Sequence, residues 1–281
     1  MSGERNPYYN AEAFALEGYL RRPLEKRINP QAYVSLPEEG GYRSERAQDY
    51  HLEAVISFRS AYTQVAGTPS LKPGHGLTTL ATAVIEGFNI LDVVTADRVV
   101  AQIGTDYPED SYIPSVTFLG SRFDNLRIAG HPVRLDFDAN LLGEKPKGDA
   151  PYSRDSGFRE RVAKQYDQMR KQPNLPAEIG EGYNRLPSNS APQESIECSL
   201  VQHAKGSYPG RTFGHVIDVP HFGKIYLAIV RLLESDPHPK TGIPTKTTIS
   251  LTMIRTKMGC IADGETNGPT AKTNGTGKGG G

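Results

Sequence analysis

Tryptophan is absent from the 281 residues, cysteine occurs twice and methionine four times. The two cysteines, Cys198 and Cys260, form no CxxC pair, so the chain carries neither the disulfide framework of a small stapled domain nor the spacing of a zinc site. They read as two free thiols, with a single bridge between them left open. No purely apolar run exceeds the six residues Ile225–Val230. A membrane helix needs about 20, so no helical membrane span is expected. The N-terminal stretch MSGERNPYYNAEAFALEGYLRRPLEKR shows no basic region followed by an apolar one, so no secretory signal is expected. The expectation is a cytoplasmic protein or leaderless export. Neither sign of charge is in excess: 32 Lys and Arg balance 32 Asp and Glu. That balance argues against a nucleic-acid binder acting through a global positive field.

Glycine and proline are plentiful, at 29 and 21 residues, while apolar residues reach 37%. Many turns and short elements follow, which excludes a long helical bundle. Residues 1–46 are polar and read as an N-terminal arm. Its tyrosines (Tyr8, Tyr9, Tyr19, Tyr33, Tyr42) stand near Arg21, Arg22 and Arg43, a pairing favoured at interfaces. The arm is expected to lie on its own domain or to dock on a neighbouring subunit, giving a homo-oligomer. A short helix over Ala11–Leu20 would end at Pro23.

Residues 47–263 read as a single β-rich domain. Leu52–Tyr62, Leu77–Glu86 and Ser115–Leu119 are strand-like. Phe123 is out of phase with Leu126 and Ile128, which implies a bulge near Asp124–Asn125. Val133, Leu135 and Phe137 alternate with Arg134, Asp136 and Asp138, the pattern of a strand with one wet face. Residues 143–193 change character. Phe158, Val162, Tyr166 and Met169 recur at helical spacing with Asp155 or Ser156 placed to cap, so this stretch is expected to be an inserted amphipathic helix. Strands resume at Ile196–His203, Thr212–Val219, Lys224–Leu233 and Thr247–Arg255. Residues 264–281, rich in Gly and Thr, are expected to be disordered. The fold class is mainly β: an antiparallel β-sandwich or barrel-like domain with one inserted helix, or as the alternative a β-solenoid.

No nucleophile elbow, phosphate-binding loop, dinucleotide fingerprint or zinc-protease motif occurs, and no cofactor is implied. The seven histidines are His51, His75, His131, His203, His215, His221 and His238. His75 and His131 are the catalytic candidates, as acid–base groups. His215 and His221 flank Asp218, and a strand that breaks at Pro220 would let the imidazoles converge there as a metal site. Asp136 and Asp138 are paired carboxylates on one strand face, of the kind that does acid–base work or binds calcium.

The segment GFNILDVVTADRVV at Gly87–Val100, followed by VTFLGSRFDNLRIAGHPV at Val116–Val133, resembles secreted bacterial β-rich proteins of the choice-of-anchor type. FGKIYLAIV at Phe222–Val230 and Leu251–Cys260 add a likeness to an uncharacterised bacterial β-rich family. The resemblance rests on strand and turn residues. It implies a structural or adhesive role and brings no catalytic residue. The expected function is therefore a non-enzymatic β-rich binding or assembly protein that self-associates through its N-terminal arm. The alternatives are an enzyme with a loop-built histidine pocket, or a carbohydrate-binding module, which would need exposed aromatics on a sheet face.

Overall fold

The computed structural model describes residues 5–279 apart from 72, 110, 112, 148–149, 187–194, 238–241, 243 and 261. About 59% of the chain is strand and 10% helix, and the sheets are antiparallel. An eight-stranded sheet is built on a meander of four long strands, Gly41–Leu52, Ile56–Pro69, His75–Ile90 and Val94–Pro108. Short strands between Ser115 and Pro132 extend it beyond Val94–Pro108. Where the spacing predicts one strand over Leu52–Tyr62, the chain turns at Glu53–Val55 and forms two.

The four-strand meander bends along one transverse line. Asp49, Arg59, Gly87 and Asp97 drop out of successive ladders, and Asn125 continues the line on the next strand. Asp49, Gly87 and Asn125 take φ of 48°, 63° and 53°. Such backbone angles suit glycine and the short polar side chains. A Cβ on Gly87 would stand 3.1 Å from the Arg59 Cβ. Asn125 Nδ2 donates to Asp97 Oδ2 at 2.6 Å and ties the line at its end. The expected irregularity near Asp124–Asn125 is therefore one station of a sheet-wide bend.

The twelve-stranded sheet has the hairpin Gly223–Pro237 and Pro244–Gly259 as its spine. Ala228, at φ 48°, and Met253 fall outside the hairpin ladder. The neighbours change at that point. Val216–Val219 flanks one half of the spine and Ile196–Ser199 the other, while Asp263–Asn267 gives way to Thr270–Gly279 on the far side. The half next to Thr270–Gly279 packs face to face on the eight-stranded sheet. There Thr79, Thr105 and Thr273 meet, with Thr79 and Thr105 Oγ1 2.5 Å apart and Thr273 Oγ1 3.4 Å from each. Residues Ile225–Val230 are buried on both faces, as an unbroken apolar run in a central strand requires.

Both chain ends join this sheet, which corrects two expectations. Ala11–Phe14 and Leu16–Arg22 are strands, not a helix. Ala11, Ala13 and Ala15 alternate inward and are buried; alanine at period two is easily mistaken for a helix former. Residues 5–35 of the segment read as an arm are thus strands of this sheet. Residues 264–279 are not disordered: Asp263–Asn267 and Thr270–Gly279 are strands, and residues 280–281 of that expectation lie outside the described residues. Thr270–Thr273 pairs with both Ala11–Phe14 and the spine. Thr266, Ala271 and Thr273 are buried, and small side chains suit a place between two sheets where ladder bonds satisfy the backbone.

The inserted helix runs Ser156–Arg170, and Asp155 caps it by accepting from Phe158 N at 2.7 Å. Phe158, Val162, Tyr166 and Met169 are buried, as their spacing predicts. Gln165 docks the helix by pairing both ways with the Ser199 backbone, at 2.9 and 3.0 Å. The buried Glu234 carboxylate accepts from Tyr152 N at 2.8 Å and Ser153 N at 3.1 Å, tying the insertion to the spine.

Candidate functional site

His131 lies exposed in the two-residue strand His131–Pro132. His75 opens the strand His75–Ile90, and its side chain lies outside the described residues. His215 sits in the turn between Arg211–Phe213 and Val216–Val219, fully buried. Asp218 pairs in register with Arg211 and Lys224, and His221 is exposed in a turn at φ 63°. Among the described residues no group of three His, Cys, Asp or Glu could hold a metal ion. The expected convergence of His215, Asp218 and His221 is thus not formed: the turn directs His215 inward, whereas His221 faces water. Cys198 is buried, Cys260 is exposed and both are free.

What His215 meets is the inserted helical region. Its Nε2 lies 2.6 Å from the Tyr183 hydroxyl, and the Tyr183 ring stands edge-on to Tyr166 at 5.2 Å. Tyr166 OH donates to the Glu197 carbonyl at 2.8 Å. The Glu197 carboxylate accepts from Arg255 at 2.6 and 3.1 Å and from Arg231 at 3.2 Å. Arg255 also lies 4.7 Å over the Tyr226 ring. Burial lowers the His215 pKa to about 3, so the imidazole is neutral at ordinary pH and is not tuned as a general base. Burial pushes the Cys198 thiol up, away from the thiolate that nucleophilic chemistry needs. Burial alone would raise the Glu197 carboxyl, but the hydrogen bonds and charge of Arg255, with Arg231, hold it below the usual carboxylate range.

A polar cleft of about 370 Å³ lies beside the helix, lined by Asp136, Asp138, Arg161, Lys164, Gln168, Gln202 and His203. The strand Arg134–Phe137 pairs with Val201–Lys205, and the ladder skips Gln202, leaving Asp136 opposite His203. This bulge presents Gln202 and His203 together to the carboxylates. Arg161, Lys164 and Gln168 share one helix face by their spacing. Arg161 is already committed, donating to the Leu141 and Leu142 carbonyls at 2.7 Å. The cleft sets two carboxylates against two cations and so offers a charge-balanced polar surface. The period-two and helical spacings were readable in the sequence; their meeting across a bulge was not.

A further candidate surface is a sheet edge. Gly41–Leu52 is a 12-residue edge strand, and among the described residues it pairs only with Ile56–Pro69. Residues 41–46 are exposed on both faces. Among the described residues, Arg43, Glu45 and Arg46 form no ion pair within the chain.

A family described as a domain of unknown function (DUF8256) matches residues 7–233. The chain belongs to this family. The DUF8256 match takes in the edge strand, the polar cleft, the inserted helix and His215, and ends within the first strand of the spine. Arg255 and the strands Asp263–Asn267 and Thr270–Gly279 lie beyond it. Neither a curated protein nor a solved structure matches the chain.

Proposed function

We propose that this DUF8256 chain is a non-enzymatic β-sandwich protein of binding and assembly, which associates with further copies of itself through the Gly41–Leu52 edge. The observation that carries the reading is the exposure of both faces of that strand over residues 41–46. An edge strand presents a row of unpaired N–H and C=O groups, and proteins shorten, twist, cover or charge such edges. A run of one charge would repel a second copy. Here Arg43, Glu45, Arg46 and Asp49 mix the signs. The dispersal of His131, His215 and His221 supports the non-enzymatic side of the reading, as does the neutral His215. The likeness of Gly87–Val100 and Val116–Val133 to secreted bacterial β-rich proteins favours a structural or adhesive setting. Self-association passes from a docking arm to the sheet edge, whose first residues close that arm. Sedimentation velocity in the micromolar range is expected to give a multiple of the 30.7 kDa chain mass; a strict monomer would sink the proposal.

A second reading, carbohydrate binding, is favoured by a cleft of about 410 Å³ on a sheet face, lined by Glu17, Tyr19, Arg27, Glu265 and Asn267 among others. Tyr19 is 39% exposed, and Arg21 lies 5.3 Å over its ring. Sugars stack a C–H face on such a ring while carboxylates and amides take the hydroxyls. Calorimetry with cellohexaose, xylohexaose and chitohexaose is expected to show binding to at least one, lost in Tyr19→Ala. No heat with any of them removes this reading.

A further inference from the structure

The edge strand specifies how a second copy would sit. We propose that another copy of this chain pairs antiparallel with Gly41–Leu52 across a two-fold axis at Ser44, so that Arg43 of each copy meets Glu45 of the other and Tyr42 meets Arg46. This rests on the assembly reading above and adds its geometry.

The register follows from sheet symmetry. Two identical antiparallel strands are related by a two-fold axis perpendicular to the sheet, and directly opposed side chains lie on the same face. The axis must therefore pass beside a single residue, which opposes its own copy. An axis at Arg43, Glu45 or Arg46 sets two like charges against each other at the centre. An axis at Ala47 opposes Glu45 to Asp49. With the axis at Ser44, two small hydroxyl side chains meet at the centre. Two Arg43–Glu45 pairs then form on one face, and two Tyr42–Arg46 pairs on the other, where a guanidinium can lie over a tyrosine ring. Gly41 opposes Ala47 at the ends. The charged and aromatic pairs of this register need only residues 42–46 to be regular, and the chain supplies that interval: Gly40 and Gly41 have φ of 85° and 98° at one end, and Asp49 has φ 48° at the other. Asp49 lies on the bend line of the sheet, so the edge turns away just beyond the proposed contact.

Ser44→Cys, made with the exposed Cys260 replaced by Ser, is expected to form a disulfide-linked dimer on mild oxidation, because directly opposed Cβ atoms in a sheet lie about 4.5–5.5 Å apart. Gln48→Cys in the same background is expected to stay unlinked, since its copies would lie at opposite ends of the pairing. Arg43→Glu and Glu45→Arg are each expected to weaken dimerisation by about tenfold, as two attractive pairs become repulsive. The double charge swap R43E/E45R restores it, and circular dichroism checks that every variant keeps its strand signal. If the wild type associates but Gln48→Cys links in preference to Ser44→Cys, or the double swap is no better than the single changes, the register is overturned and the assembly reading stands. A monomeric wild type overturns both.

Discussion

Acidification from pH 6.5 to pH 3 is expected to cost the fold on the order of 4 kcal/mol through His215 alone. In the unfolded chain this imidazole takes a proton near pH 6.5, whereas in the folded chain burial lowers its pKa to about 3. Between those values the unfolded state binds more protons, so stability rises with pH across the window. The contribution is fully present above pH 6.5 and is lost as pH falls toward 3. His215→Gln retains a polar partner for the Tyr183 hydroxyl and removes the titration. Urea unfolding at a series of pH values is expected to give a wild-type stability that falls more steeply with acid than that of His215→Gln. Carboxylates that titrate in the same range are common to both proteins and cancel in the difference. Parallel pH curves would refute this account of His215.

Arg255→Ala is expected to destabilise the protein by about 3 kcal/mol, against less than about 1 kcal/mol for Arg231→Ala. Both arginines reach the same Glu197 carboxylate, but their surroundings differ. The Arg255 side chain is 16% exposed and that of Arg231 is 56% exposed. Removing Arg255 leaves the half-buried Glu197 carboxylate with one solvent-screened partner and strips the cation from the Tyr226 ring. Removing Arg231 costs a contact that water replaces. Urea midpoints of the two variants decide the matter, and equal losses would contradict the contrast. Because Arg255 belongs to the spine and Glu197 to the strand after the insertion, the Arg255→Ala loss also reports how firmly the helical region is held to the sheet.

The inserted helix was legible almost residue by residue: its cap at Asp155 and its apolar face are local properties, set within a few turns of chain. The wet-faced strand at Arg134–Phe137 and the doubly buried run Ile225–Val230 were legible for the same reason. The first and last strands were not. Alanine at Ala11, Ala13 and Ala15 carries too little hydrophobic signal to reveal a period of two, and Thr270–Thr273 owes its order to partners near the other end of the chain. Of the site residues, Asp136 and Asp138 stood out as a pair, but the bulge at Gln202 that sets His203 against them left no mark. His215 was singled out for the wrong neighbours, because separation along the chain says nothing about which way a turn directs its side chain.

The sequence by itself determined the β-rich class, the inserted helix and the mixed charges of the edge strand, all of which depend on composition or on neighbours a few residues away. Only the tertiary structure decided that both chain ends complete one sheet, that His215 is a neutral buried contact and that Gly41–Leu52 is an edge. Those properties arise from ladders and burial between residues far apart in the chain, where backbone hydrogen bonding is indifferent to side-chain identity and leaves no local pattern to read.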